Sequence, residues 1–255
     1  MLTLSHVYAG YDGGDVLRDV SASFETGGCY SVLGPNGCGK TTLLRSVCRM
    51  IDMRGDVLLD GRNVTSFKRA ELAAQVALMS QLTTLYFPYT VEETVMLGRY
   101  RHMRGRLFAR PDKADRAAVE CCLRMTDLTS LRGERIDRLS GGQRQRVFLA
   151  QTLAQEPRVI LLDEPTNHLD VRCQLELIDA LHAWCADGEH TVIGVFHDMN
   201  LALRLSERML FLKDGAVAGF GCFSELVTGD FLQNVYGMDV AGYMRGALEP
   251  WMKVG

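Results

Sequence analysis

Tyr30-Ser31-Val32-Leu33-Gly34-Pro35-Asn36-Gly37-Cys38-Gly39-Lys40-Thr41-Thr42 carries the reading that decides the fold. An apolar run ends in a glycine-rich turn, and a helical pattern follows with Leu43, Leu44 and Val47 at helical spacing. Strand, Gly-x-x-x-x-Gly-Lys-Thr loop and helix, in that order, make a phosphate cradle. The glycines let the backbone wrap the phosphates, so that successive N–H groups and the helix N-terminus face negative charge. Gly34, Pro35, Asn36, Gly37, Cys38 and Gly39 form the cradle, and Lys40 is placed for the β- and γ-phosphates of ATP. The Thr41 hydroxyl is placed to ligate Mg²⁺, and Thr42 to help at the α-phosphate.

Working outward, Val159-Ile160-Leu161-Leu162-Asp163-Glu164-Pro165 is a second apolar run, ending abruptly in two acids. A strand buried on both faces is apolar throughout, and ligands gather at the carboxyl ends of such strands. Asp163 therefore reads as a Mg²⁺ ligand, directly or through water, and Glu164 as the general base that polarises an attacking water. The alternative is a pair of helix-capping acids after a strand.

Strand-like runs also appear at Leu2–Tyr8, Val16–Phe24, Asp56–Gly61, Val76–Met79, Thr191–Phe196 and Met209–Leu212. Between about Pro88 and Ala154 the pattern turns helical, with helices predicted over Val91–Gly98, Asp112–Met125 and Gly141–Ala154. Another helix is predicted over Val171–Ala186, and short ones around Phe223–Tyr236. Strands alternating with helices predict an α/β fold with a mostly parallel sheet, interrupted by a helical insertion.

Hydrophobic residues make up 47% of the chain and charged residues 23%, with a net charge of -3. No global basic field exists to hold nucleic acid, and no run approaches the roughly 18 apolar residues of a membrane span. The N-terminus lacks the layout of a secretory signal, which points to the cytoplasm. The eight cysteines include no Cys-x-x-Cys pair and read as scattered reduced thiols. Cys38 alone lies in a motif, where alkylation would block the site.

Leu139-Ser140-Gly141-Gly142-Gln143, followed by Arg144-Gln145-Arg146-Val147, resembles the signature sequence of ABC-type ATPases. From the residues alone, Ser140, Gly141, Gly142 and Gln143 open a helix as a second anion-binding N-terminus. One triphosphate needs one cradle, so the second serves a partner's nucleotide. The resemblance extends from Leu2 to about Gly229 and implies further roles. Gln81 resembles the glutamine that contacts Mg²⁺ or water and senses the partner domain. Asn167-His168-Leu169-Asp170 resembles the D-loop, with Asp170 crossing a dimer interface, and His197 resembles the switch histidine at the γ-phosphate. Tyr11, with Tyr8 as competitor, resembles the aromatic that stacks on adenine.

The resemblance implies a P-loop NTPase-type fold with an N-terminal antiparallel β subdomain and an inserted α-helical subdomain. Residues 1–87 and 155–229 would form the RecA-like core with its β subdomain, 88–154 the helical signature subdomain, and 230–255 a short tail. It also implies a head-to-tail homodimer, two transmembrane permease subunits, an extracytoplasmic substrate-binding protein, no nucleic acid, and a place on the cytoplasmic face of the cell membrane. Within the family the wording of Thr90–Tyr100, Asn167–Asp170 and His197–Ala202 resembles importers of iron-siderophores, haem and vitamin B12. An exporter ATPase and a soluble ABC ATPase are the alternatives. Two stretches suggest contacts: Leu82–Val91, with Tyr86, Phe87 and Tyr89, as a permease groove or ordinary core, and Arg99–Arg110 as a lipid- or permease-facing or solvated basic stretch.

Overall fold

The computed structural model describes residues 1–80, 88–103, 110–167 and 169–253. The chain opens with β1 (Leu2–Tyr11), β2 (Gly14–Phe24), β3 (Cys29–Leu33), α1 (Lys40–Val47), β4 (Met53–Leu59), β5 (Arg62–Asn63), α2 (Arg69–Gln75) and β6 (Val76–Met79). Its middle holds α3 (Val91–Leu97), α4 (Tyr100–Met103), α5 (Lys113–Met125) and α6 (Gly141–Leu153). It closes with β7 (Val159–Asp163), α7 (Val171–Cys185), β8 (Thr191–Val195), α8 (Met199–Leu205), β9 (Arg208–Lys213), β10 (Ala216–Cys222), α9 (Phe223–Leu226), α10 (Gly229–Tyr236) and α11 (Val240–Leu248).

Six strands form one sheet in the order β10-β9-β3-β8-β7-β6, parallel except for the β9–β10 hairpin. Every residue of β7 and β8 is buried, which is why both read as unbroken apolar runs. Their side chains alternate between two cores. Ile160 and Leu162 pack with the helices α5, α6, α7 and α8, whereas Val159 and Leu161 pack with α1 and the first strands. The second sheet, β2-β1-β4-β5, is antiparallel and supplies much of that second core through Leu2, Leu4, Leu17 and Val57. The expected α/β architecture, with its antiparallel sheet and mid-chain helices, is the one observed.

Because β3, β7 and β8 are parallel and in register, their carboxyl ends lie side by side. Val32 pairs with Val195, and Val195 pairs with Asp163. The segments that leave those ends are the glycine loop, Asp163-Glu164 and Phe196-His197, so one edge of the sheet collects all three.

Three helices of the middle segment, α3, α5 and α6, start where side-chain caps stand. Thr90 with Glu93, Asp112 with Asp115 and Ser140 with Gln143 each form a reciprocal capping box. Arg99 departs from its expectation as part of a basic surface stretch. It is 4% exposed, pairs with Asp115 at 3.3 Å and Glu156 at 2.8 Å, and donates to the Ala154 carbonyl at 2.9 Å. It is a tie between α4, α5 and the end of α6, not a lipid contact. Arg104 and Arg106 lie outside the described residues, as do Tyr86 and Phe87 of the expected groove.

The C-terminal segment is more structured than its sequence announced. Leu232 and Val235 of α10 and Val240 of α11 are buried in the core that holds Met209 and Phe211 of β9. The boundary expected at residue 230 therefore falls inside a docked helix. Among the described residues no helix is long and apolar enough to cross a membrane.

Candidate functional site

Gly34 takes φ +146° and Gly39 takes φ +107°, both closed to ordinary side chains. Packing enforces the same choice: a Cβ on Gly34 would stand 2.1 Å from the Leu212 carbonyl, and one on Gly39 2.7 Å from Leu17 Cδ2. The loop is thus pressed onto β9 and β2, with α1 opening directly from Gly39. No side chain caps α1 and its first turn has no acid, so its N–H groups and dipole are left to an anion.

The loop borders a cavity of about 470 Å³ lined by Val16, Asn36, Gly37, Gly39, Lys40, Thr41, Thr42, Glu164 and His197. Lys40 is nearly buried, its ammonium held by the carbonyls of Gly34 at 2.7 Å and Pro35 at 3.0 Å. The Thr41 hydroxyl donates to Asp163 Oδ1 at 3.0 Å. Burial holds the Asp163 carboxyl above the ordinary carboxylate range, with the Thr41 hydrogen bond opposing it. Glu164 turns away from β7 with φ +54°, uncommon for a residue with a side chain, and bonds His197 Nε2 through Oε1. The structure thus brings the loop, Asp163, Glu164 and His197 into one place, as the sequence led one to expect.

Other expected positions sit elsewhere. Tyr11 ends β1 half-exposed, and its hydroxyl accepts from Arg45 of α1 at 3.1 Å, a link to the helix behind the loop. Tyr8 instead lines a separate cleft with its ring beneath the Arg54 guanidinium. Asp170 caps α7, accepting from Cys173 N at 2.8 Å, and that bond holds its carboxyl below the usual range. Gln81 lies outside the described residues. The Cys38 thiol is 5% exposed and pushed up by burial, so the expected alkylation is disfavoured: little thiolate forms and little of it is reachable.

Ser140 caps α6, its Oγ accepting from Gln143 N at 3.2 Å while Gln143 Oε1 accepts from Ser140 N at 2.9 Å. Gly141 faces open space. A Cβ on Gly142 would stand 2.6 Å from Cys173 Sγ, so that side chain would have to shift to admit one. None of Ser140 to Gln143 borders the cavity at the glycine loop.

Two residues near the site carried no individual role in the sequence, although Asn167 opens the D-loop-like stretch. Asn167 donates from Nδ2 to Glu164 Oε2 at 2.5 Å. Tyr236 of α10 stands beside the Gly34 backbone, its phenol pushed up to about 12 by burial. Tyr236 has no local sequence signal, and both contacts are ones that only the fold creates.

A strand–loop–helix phosphate cradle with a lysine, a hydroxyl–carboxylate pair and a glutamate–histidine pair defines a P-loop ATPase. The ABC transporter family model matches residues 17–167. The ferric enterobactin transport ATP-binding protein FepC of Escherichia coli is 37% identical over 90% of this chain and 84% of its own. The hemin import ATP-binding protein HmuV of Pseudomonas fluorescens is 38% identical over 88% of each chain. Among solved structures, a dimeric post-hydrolysis state of the ATP-binding cassette MJ0796 bound to ADP and Pi is similar. It superposes with a TM-score of 0.76 at 30% identity, covering 87% of this chain and 98% of that one. The chain belongs to the ABC transporter family, as an ATP-binding and ATP-hydrolysing subunit.

Proposed function

We propose that this chain powers uptake of an iron-siderophore, haem or cobalamin-type cargo through a membrane permease. It would work on the cytoplasmic face of the membrane as a head-to-tail pair bound to two permease subunits, with an extracytoplasmic binding protein delivering the cargo. The cargo class rests on relatives named for ferric enterobactin and hemin transport. The paired arrangement rests on one observation: the cavity that holds Lys40, Thr41, Glu164 and His197 has no wall from Ser140 to Gln143. A second copy can supply that wall.

In the ATP-bound pair, Lys40 and the N–H groups of Gly37 to Thr42 hold the phosphates, and Tyr11 stacks on adenine. Glu164 orients the attacking water and accepts its proton, and His197 holds Glu164 and reaches the γ-phosphate. Ser140 to Gln143 of the other copy close over the same triphosphate, and Asp170 crosses the interface. Residues 88–154 form the helical unit that carries this second grip, and Gln81 joins the metal and water side of the site.

The residues present fit Mg²⁺. Thr41 and Asp163 offer hard oxygen donors 3.0 Å apart, and burial leaves the Asp163 carboxyl in want of a cation. Among the described residues no group of three or more His, Cys, Asp and Glu side chains is placed to hold a metal ion by itself, whereas Mg²⁺ takes one or two protein oxygens plus phosphates and water. When bound, the ion supplies positive charge to the phosphate oxygens.

Uptake of radiolabelled ferric siderophore, haem and cobalamin, in cells whose own copy is replaced by Glu164→Gln, tests the proposal. Loss of uptake for one of these cargoes is expected. Unchanged uptake of all three, with the protein recovered on ribosomes or nucleic acid instead of with two polytopic partners, would overturn it.

A further inference from the structure

Glu164 is held from both sides. Its backbone N–H donates to the Val195 carbonyl at 3.2 Å, and its own carbonyl accepts from Asn167 N at 3.3 Å. The first bond ties Glu164 to β8 and the second closes a tight turn just after β7, with Glu164 in the left-handed region. The carboxylate, 18% exposed, then has Oε1 on His197 Nε2 and Oε2 on Asn167 Nδ2 at 2.5 Å. An ionised carboxylate only accepts hydrogen bonds, so the Asn167 amide must present its NH₂ end. Two donors on two oxygens fix both the rotation and the position of the group. His197 alone would fix one oxygen and leave the carboxylate plane free to turn.

We propose that Asn167 is a positioning residue for ATP hydrolysis, orienting the Glu164 carboxylate toward the cavity bordered by Lys40 and Thr41. The proposal rests on the reading of Glu164 as the base. A general base must keep its acceptor oxygen within hydrogen-bond reach of the water it activates, and small misplacements are costly. Asn167 itself is absent from the cavity lining, so it acts through Glu164 and not on ATP.

The test compares Asn167→Ala and the isosteric Asn167→Asp, each alone and combined with Glu164→Gln, in phosphate-release kinetics and equilibrium ATP binding. Asn167→Ala is expected to lower kcat by about 10- to 100-fold, with KM and affinity for ATP within about twofold of the unsubstituted protein. In the Glu164→Gln background the same substitution should change the residual rate less than about twofold, because the group it positions is gone. Asn167→Asp sets two carboxylates against each other at neutral pH. Its deficit should shrink as pH falls and the new carboxyl gains a proton to donate, a pH dependence that a purely structural role would not produce. Full turnover in Asn167→Ala, or an equal loss with and without the Glu164 carboxylate, would overturn the positioning role. If Glu164→Gln itself turned over normally, the base assignment would fail instead, so the two failures are told apart.

Discussion

The helix N-termini of α1 and α6 are both free of acidic residues in the first turn, yet they are built for different tasks. At α1 no side chain takes up the backbone N–H groups, and Lys40, Thr41, Asp163, Glu164 and His197 gather around the opening. At α6 the Ser140–Gln143 capping box satisfies part of the helix end, Gly141 lies open and Gly142 is wedged against α7. On the proposed reading one end is the reaction site, and the other closes the site of a second copy.

The largest effect separating the two ends is expected at Glu164. Glu164→Gln should reduce turnover by about 10²- to 10⁴-fold, as for loss of a general base. ATP affinity should stay near that of the unsubstituted chain, since the cradle is intact. Phosphate release measured beside equilibrium binding decides it.

At the signature end the expected disruption is steric and smaller. Gly142→Ala drives a methyl into Cys173 Sγ, and overpacking of this kind costs about 1–3 kcal/mol. Turnover and thermal stability should both fall, with ATP binding by the single chain unaffected. Adding Cys173→Ala, which removes the sulfur, should restore much of both. Failure of that rescue would mean that Gly142 is needed for its backbone and not for its lack of bulk.

The smallest effect is one of stability. Burial holds Asp163 above the ordinary carboxylate range, so the folded chain binds more protons than the unfolded one just above that range. Stability from this group is therefore lost as pH rises through the window between the ordinary and the raised value. Asp163→Asn removes the penalty and should raise Tm at neutral pH by about 2 °C, in the range of other gains bought with function. A lower Tm would show the carboxylate to be stabilising where it stands.

Most of this fold was legible in order along the chain. Residues buried on both faces, as in β7 and β8, leave an unbroken apolar run, and capped helices leave Thr90, Asp112 and Ser140 as start marks. Motif spacing alone fixed Lys40, Thr41, Asp163 and Glu164 to neighbouring strand ends. Less legible were features made by contact. Arg99 looked like surface charge because its partners Asp115 and Glu156 lie 16 and 57 positions away in sequence. Cys38 reads as reachable from its motif, yet it is buried in the fold. Helix α11 was missed because Gly242 and Gly246 weaken its propensity, while an Asp239 cap and the buried Val240 sustain it. Asn167 was visible as part of a motif, but its grip on Glu164 depends on a left-handed turn that no sequence pattern announces.

Whether one ATP is shared between two copies is most directly settled by sedimentation of Glu164→Gln with and without ATP and Mg²⁺. The mass should double when nucleotide is added, and Ser140→Arg in the same chain should keep it single while ATP still binds. A chain that binds ATP yet stays single, or one that pairs equally well with Ser140 replaced, would contradict the shared site.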